Sequence, residues 1–76
     1  MKNRVKNVFI ESLGVSADVI VDELTYASIA QWDSVAHMAL ITALEDEFDI
    51  MIEIDDVIDM SSVSKAYEIV SKYTKI

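Results

Sequence analysis

The chain has 76 residues and a formal net charge of −8, from six Lys and Arg against fourteen Asp and Glu. This length predicts one small domain over residues 1–76 with a thin core, and the negative charge excludes nucleic acid and anionic membranes as partners, since both are polyanions. The chain has no Cys, no Pro and one Gly, and 53% of its residues are hydrophobic, which excludes disulfides and disorder and favours helices.

Residues 2–13 show the spacing of an amphipathic helix. Four apolar side chains recur at helical intervals and predict its buried face: Val5, Val8, Phe9 and Leu13. Gly14 follows the last of them, where a glycine commonly ends a helix. Residues 15–33 have no sustained period, so we predict a long loop with room for a short turn of helix. Loops of this length are uncommon in small domains and are often functional.

The strongest helical pattern covers residues 34–48. Asp33 and Ser34 are both residue types that favour the N-cap position. One apolar stripe predicts the buried face, and His37 extends it backward by one turn: Leu40, Ile41, Leu44 and Phe48. A second stripe on another face consists of Val35, Met38 and Thr42. The acids at 45–47 crowd the last turn, where the helix dipole disfavours them, and this indicates function rather than stability.

Residues 49–60 combine an apolar run with acids. The run at 50–54 has strand propensity, but the chain offers no partner strand, so we predict a loop and then a short helix around Asp55–Asp59. Ser61 or Ser62 caps the last helix. The buried side of that helix, predicted over 62–74, consists of Val63, Ala66, Tyr67, Ile69, Val70 and Tyr73. These elements predict an all-α fold: a small four-helix bundle of three main helices and one short helix, with a long first loop.

The charge is unevenly distributed along the chain. Every Lys and Arg lies within residues 2–6 or 65–75, and the stretch between them is acidic. An acidic block suits basic partner proteins, although it also keeps a small domain soluble. Glu11 interrupts the first apolar stretch, and no apolar run approaches the roughly 20 residues that cross a bilayer. We therefore expect a cytoplasmic, monomeric protein that is intact from Met1 and binds neither nucleic acid nor membranes.

The residue types do not favour an enzyme or a metal site. His37 is the single His, and a lone His beside an apolar stripe is more often packed than catalytic. Domains this thin rarely build a water-excluding pocket of the roughly 300 Å³ or more that ligand sites usually need. One acidic cluster lacks the Gly and the spacing of a calcium-binding loop, and fits a solvated face better. The cluster consists of Asp49, Glu53, Asp55, Asp56 and Asp59.

One set of motifs covers essentially the whole chain. In chain order they are Arg4-Val5-Lys6, Leu13-Gly14-Val15, Asp33-Ser34-Val35, Ala43-Leu44-Glu45-Asp46-Glu47-Phe48, Asp55-Asp56 and Ser61-Ser62-Val63. In this order and at this spacing, in a short acidic chain, they resemble the acyl carrier protein family. That family opens an acidic second helix with an Asp-Ser-Leu attachment motif and ends it with a Leu-Glu-acid-Glu-Phe run.

The resemblance implies that Ser34 carries 4′-phosphopantetheine through a phosphodiester, with Asp33 as its motif neighbour. The thiol of that arm holds acyl groups as thioesters for separate enzymes of fatty acid, polyketide or other specialised biosynthesis, so the carrier needs no catalytic site. A helix N-terminus suits a phosphodiester because its free N–H groups and dipole favour negative charge. The implied partners are a phosphopantetheinyl transferase and basic-surfaced acyl or aminoacyl ligases and transferases. The partner-docking residues are Val35, His37, Met38, Thr42, Glu45, Asp46, Glu47, Asp55, Asp56 and Asp59.

Several departures from the family pattern indicate a specialised member. Ala36 and Ala39 stand where early acids are common, and Glu53-Ile54 replaces the usual Pro-Asp. Trp32 before the motif resembles carriers of dedicated pathways, and we also interpret it as a loop residue that covers the core. Two alternatives stay open: an aminoacyl or peptidyl carrier with the same Ser34 arm, and an unmodified acidic helical adaptor. A thin core with adaptable methionines would open to an acyl chain. These methionines are Met38, Met51 and Met60.

Overall fold

The structure, a computed structural model, describes residues 2–74. In chain order they form α1 (Lys2–Leu13), a 3-10 turn (Ala17–Val19), α2 (Ser34–Phe48), α3 (Ile54–Asp59) and α4 (Val63–Thr74). This confirms the predicted bundle of three main helices and one short helix, with bounds that differ from the prediction by one residue at most. No helix among the described residues is both long and apolar enough to cross a membrane.

Helix α1 packs chiefly against α2 and ends as the sequence predicts. Its four buried residues are the predicted ones: Val5, Val8, Phe9 and Leu13. Gly14 adopts a φ of 67°, which a residue with a side chain rarely adopts. In this conformation the N–H groups of Gly14 and Val15 both donate to the Ile10 carbonyl, at 3.0 and 3.3 Å. These bonds satisfy a carbonyl that the end of the helix leaves free.

Trp32 belongs to the core of the bundle although it lies in the long first loop. Its side chain is fully buried, and its ring meets Phe9 edge-to-face with the centroids 5.2 Å apart. Ile20 of the same loop is buried as well. The interpretation of Trp32 as a loop residue that packs on the core is therefore confirmed. Because its side chain is fully buried, the indole is itself part of that core. The long loop is held to the helices at two separate points.

The first loop also pairs its backbone with the connection between α3 and α4. The Tyr26 N–H donates to the Ser61 carbonyl at 2.9 Å, and the Val63 N–H donates to the Leu24 carbonyl at 3.0 Å. Between these bonds, Thr25 and Ser62 form an isolated antiparallel bridge. No local sequence pattern indicates this pairing, because it joins segments almost 40 residues apart. It brings the loop beside the beginning of α4 and the end of α3.

Helix α4 begins with a side-chain cap from Ser62. The Ser62 hydroxyl accepts the Lys65 N–H at 3.0 Å, so Ser62 rather than Ser61 takes the N-cap role. The predicted buried side is confirmed, with Tyr67 and Tyr73 only partly buried. The prediction for the methionines is largely wrong. Met60 is buried, but Met38 and Met51 are 54% and 84% exposed and do not fill the core.

The acids at the end of α2 have stabilising partners that the sequence does not reveal. The Glu45 carboxylate accepts the Ile52 N–H at 2.9 Å and so fixes the loop after the helix. The Arg4 guanidinium donates to the Glu47 carboxylate at 2.9 Å and to its carbonyl at 2.8 Å. These bonds offset the unfavourable dipole, so the inference of function from uncompensated acids at 45–47 is wrong for these two residues.

Candidate functional site

The start of α2 is built by Asp33. Its extended backbone places the carboxylate under the first turn, where Oδ1 accepts the Ala36 N–H at 2.8 Å. The Asp33 carbonyl accepts the His37 N–H, also at 2.8 Å. Asp33 is therefore the N-cap, which decides between the two candidates that the sequence offers.

Ser34 becomes the first residue of α2, and its side chain is exposed. Because Asp33 provides the cap, the Ser34 hydroxyl is not needed for it, and no hydrogen bond within residues 2–74 uses that hydroxyl. Free N–H groups of the first turn and the positive end of the helix dipole lie at the same position. This environment stabilises a negatively charged group attached to the Ser34 oxygen, and the exposed position lets an enzyme reach it.

A groove of about 380 Å³ begins at Ser34 and lies between α2, α3 and the paired loop. It is lined by Ser34, His37 and Met38 of α2, by Ile54, Val57 and Ile58 of α3, and by Tyr26, Met60 and Ser61. This groove is open to solvent, so it is not the water-excluding pocket that a domain this thin is expected to lack. No Asp, Glu, Lys or Arg of the described residues lines the groove, so it suits an apolar occupant.

The groove unites some predicted site residues with others that the sequence analysis misses. Ser34, His37 and Met38 are predicted members, whereas the whole α3 wall is not. Its residues Ile54, Val57 and Ile58 have the spacing of one helical face, a signal that the neighbouring acids obscured. Tyr26 and Ser61 carry no local signal, because only the pairing of their segments brings them here.

His37 is half-buried beside the groove, and both of its ring nitrogens are engaged. The Trp32 indole N–H donates to Nδ1 at 3.0 Å, and Nε2 lies 2.9 Å from the Val57 carbonyl. A carbonyl oxygen can only accept, so Nε2 carries the proton and Nδ1 is the acceptor. Tyr26 completes the cluster edge-to-face, with its ring centroid 5.3 Å from that of His37. The imidazole is thus a structural connection between the loop, α2 and α3.

The family of the chain follows from a match over nearly its full length. The family described as "Phosphopantetheine attachment site" matches residues 3–70. The chain belongs to this family. An "Acyl carrier protein" of Picosynechococcus sp. is 32% identical over 72 residues, which are 95% of this chain and 89% of that protein.

The carrier fold is also found in a solved structure. The structure described as "The ishigamide ketosynthase/chain length factor" contains a chain that matches this carrier with a TM-score of 0.72. The match covers 99% of this chain and 94% of that one, at 20% identity, and therefore shows the shared fold. The helical bundle and the acyl carrier resemblance predicted from the sequence are confirmed.

The cofactor of this carrier is a covalently attached 4′-phosphopantetheine. The residues at the start of α2 fit that group in two ways. Ser34 offers an exposed hydroxyl at a helix N-terminus, which favours the phosphodiester charge. The groove beside it offers an apolar surface on which the arm and its cargo can lie.

The acids predicted to dock partners differ in whether the carrier's own cations neutralise them. Three form ion pairs: Glu47 with Arg4 at 2.9 Å, Asp56 with Lys72 at 2.7 Å and Asp59 with Lys65 at 3.3 Å. Within residues 2–74, Asp46 and Asp55 are exposed and form no ion pair. The carrier's own cations therefore neutralise three of the acids that were predicted to dock partners.

Asp56 fastens α3 to α4. Its carboxylate accepts hydrogen bonds from the Lys72 ammonium and the Tyr73 hydroxyl, and that hydroxyl in turn accepts the Glu53 N–H at 2.9 Å. The bonds from Lys72 and Tyr73 hold the pKa of Asp56 below its ordinary value. A carboxyl with a lowered pKa stabilises the fold above its unfolded pKa of about 3.9, and this stability is lost as the pH falls through the folded pKa.

We therefore expect Asp56→Asn to lower the thermal midpoint at neutral pH and to flatten its decline below about pH 4. Thermal unfolding of both proteins between neutral and acidic pH measures this. Asp55→Asn removes the same charge from the same helix without affecting the bond to Lys72. Its thermal midpoint is expected to decline with falling pH as steeply as that of the wild type. Asp18, whose pKa is lowered by the Ser16 hydroxyl, accounts for decline that remains in Asp56→Asn. Equal slopes for wild type and Asp56→Asn would contradict the prediction.

Proposed function

We propose that this carrier holds acyl groups as thioesters on a 4′-phosphopantetheine arm attached to Ser34, and delivers them to separate enzymes. The observation that carries the proposal is the position of Ser34. Its exposed hydroxyl lies at the N-terminus of α2, is released from capping by Asp33, and opens onto the apolar groove. The arm supplies the thiol when bound, and the protein supplies attachment and recognition. No catalytic site of the carrier's own is part of this proposal.

The groove favours an acyl over an aminoacyl cargo. An aminoacyl group carries an ammonium, which needs carboxylates or several oxygen acceptors when it leaves water. With Ser34 taken up by the arm, the groove offers the hydroxyls of Tyr26 and Ser61 but no carboxylate, and most of its wall is apolar. An apolar chain gains about 25 cal/mol for each Å² that it buries on such a surface. This supports acyl cargo in the proposal.

We propose that partners dock on an apolar collar, which we define as Met38, Ile54 and Ile58 of the groove together with Val35, the residue that follows Ser34. Val35, Met38, Ile54 and Ile58 are 78%, 54%, 66% and 75% exposed. Exposed apolar residues gathered at one site commonly mark an interaction surface. Asp46 and Asp55 add negative charge that steers a basic partner during approach. Thr42, Glu45 and His37 make bonds within the protein, so we give them a smaller part in docking.

The collar also supports a dedicated partner set. Ala36 and Ala39 leave the first turns of α2 without acids, which shifts recognition there toward apolar contacts. We therefore propose that the carrier serves its own ligase or transferase in a specialised pathway. Parallel acylation and elongation assays with general fatty acid synthase enzymes test this. Turnover equal to that of a general carrier would contradict it.

Modification of Ser34 is the direct test of the proposed function. The apo protein is incubated with coenzyme A and a broad-specificity phosphopantetheinyl transferase, and its intact mass is measured. Wild type is expected to gain one phosphopantetheine, and Ser34→Ala none. Ser61→Ala is the matched control, because Ser61 is an exposed serine on the same groove and its loss leaves Ser34 in place. It is expected to be modified as wild type is.

The outcomes separate the carrier from an acidic adaptor. An adaptor that only docks basic proteins would gain no mass in any variant. A mass gain that survives Ser34→Ala would place the arm elsewhere. Either result overturns the assignment of Ser34.

A further inference from the structure

Helix α3 is too short to be stable by itself. It has six residues, whereas isolated helices below about 12 residues are marginal in water. Its position against the groove must therefore come from contacts with other elements. Val57 packs into the core, Asp56 binds Lys72 and Tyr73 of α4, and the Val57 carbonyl accepts the Nε2 proton of His37. The bond to His37 is the hydrogen bond that holds α3 to the helix of Ser34.

The Val57 carbonyl needs such a partner. It lies in the last turn of α3, where carbonyl groups have no N–H donor within the helix. A carbonyl that loses its partner beside the core keeps the cost of leaving water with no hydrogen bond to offset it. His37 satisfies it at 2.9 Å, and its other nitrogen is oriented by the Trp32 indole at 3.0 Å. Because Trp32 is fully buried, its indole fixes the orientation of the imidazole, and the imidazole in turn binds α3.

We propose that His37 is a positioning residue that braces the groove. Through Trp32 and Val57 it holds the first loop, α2 and α3 at fixed separations, and so sets the width of the groove beside Ser34. The brace uses the neutral imidazole with the proton on Nε2, and it engages both nitrogens. His37 lines the groove, but the role proposed for it here is the one it exerts through its bonds to Trp32 and Val57. That the cargo lies in the groove rests on the proposed function; the brace itself does not.

The brace consists of two hydrogen bonds, one from Trp32 to Nδ1 and one from Nε2 to Val57. Each can be tested separately in the protein without its arm. His37→Asn places an amide oxygen near the position of Nδ1, which keeps an acceptor for Trp32 but does not reach Val57. His37→Gln places an amide nitrogen near the position of Nε2, which keeps a donor for Val57 but leaves the indole without its acceptor. His37→Phe keeps a ring of similar volume and loses both bonds. Because the two amide variants are both polar, they control for each other.

Hydrogen exchange by NMR is the first measurement. The Val57 N–H is bonded to the Glu53 carbonyl at 3.0 Å, and its exchange rate reports opening of α3. The exchange rate of the Trp32 indole N–H reports loss of its bond to His37. We expect His37→Asn to accelerate exchange of the Val57 amide about tenfold with little change at the indole. We expect His37→Gln to do the reverse, and His37→Phe to accelerate both. General destabilisation would move both sites together in every variant.

The second measurement asks whether the brace positions the cargo. From a coenzyme A whose thiol carries a polarity-sensitive dansyl group, a broad-specificity transferase attaches the dansyl-phosphopantetheine to the Ser34 oxygen and releases adenosine 3′,5′-bisphosphate. The dansyl emission is expected to lie further to the blue in wild type and His37→Gln than in His37→Asn and His37→Phe. This follows because a loosened α3 exposes the groove to water.

The outcomes distinguish failure of the brace from failure of the proposed function. Exchange rates that are equal in wild type and all three variants, or that rise together at both sites in each, overturn the brace. Reciprocal exchange with identical dansyl emission overturns the claim that the brace positions cargo. If no protein accepts the dansyl-pantetheine, the proposed function fails, while the exchange pattern still decides the brace.

Discussion

Trp32→Ala is expected to lower the free energy of unfolding by about 3–5 kcal/mol. The indole is fully buried, packs edge-to-face on Phe9 and donates its N–H to His37. Its removal leaves a cavity between the first loop and α1, and it leaves His37 Nδ1 without a hydrogen-bond donor. Domains of this size have only about 5–10 kcal/mol of stability, so much of the Ala variant would be unfolded at 37 °C. Urea unfolding followed by far-ultraviolet circular dichroism measures the loss without relying on Trp fluorescence.

Trp32→Phe separates the packing of the indole from its hydrogen bond. Phe keeps an apolar ring that can meet Phe9, but it has no donor for His37 Nδ1. The expected loss is therefore smaller, about 1–3 kcal/mol. A loss below about 1 kcal/mol for Trp32→Ala would show that the loop can repack and that the indole is not central to the core.

The helices of this carrier could be predicted because their signals are local. The apolar spacing in α1 and α2, Gly14 after α1, and a serine before α4 each act within a few residues, and each proved correct. The choice between neighbouring caps could not be made in the same way. Asp33 and Ser34 have similar intrinsic preference, and only the backbone geometry at 33 decides between them.

The groove could be predicted only in part, because it depends on long-range contacts. Ser34 and Met38 lie on one helix, and their shared face follows from helical spacing. The opposite wall comes from α3 and from the pairing of Tyr26 with Ser61, which no periodicity encodes. His37 shows the same limit, since its two partners lie 5 and 20 residues away in the chain. A lone His in a sequence cannot reveal that both of its nitrogens are engaged.

Charge composition was also an incomplete guide to the docking surface. Counting acids does not show which of them meet cations of the same protein. Arg4, Lys65 and Lys72 come from the ends of the sequence, but the fold returns them to the acids of α2 and α3. The groove that Ser34 opens onto is lined largely by apolar side chains, so we expect apolar contacts to dominate docking there.

Replacing both Ile54 and Ile58 with Ser is expected to raise the KM of a broad-specificity phosphopantetheinyl transferase for the apo carrier about 100-fold. Each isoleucine is more than half exposed, so a docked partner can cover its apolar surface. Burial of that surface contributes about 1.5 kcal/mol to binding at each site. Two such losses multiply to about 100-fold in binding. Steady-state transfer from coenzyme A, followed by intact mass, measures KM.

The control variant removes exposed charge and leaves the isoleucines in place. Asp46→Asn with Asp55→Asn changes two exposed acids that form no ion pair within residues 2–74, and exposed pairs contribute only about 0.2–1 kcal/mol each. We therefore expect KM to rise less than about 30-fold, with a similar change when NaCl is raised to about 0.5 M. Circular dichroism is expected to show both variants folded, since the substituted side chains are exposed. A larger effect from the acids than from the isoleucines would reverse the proposed order and make docking on this carrier chiefly electrostatic.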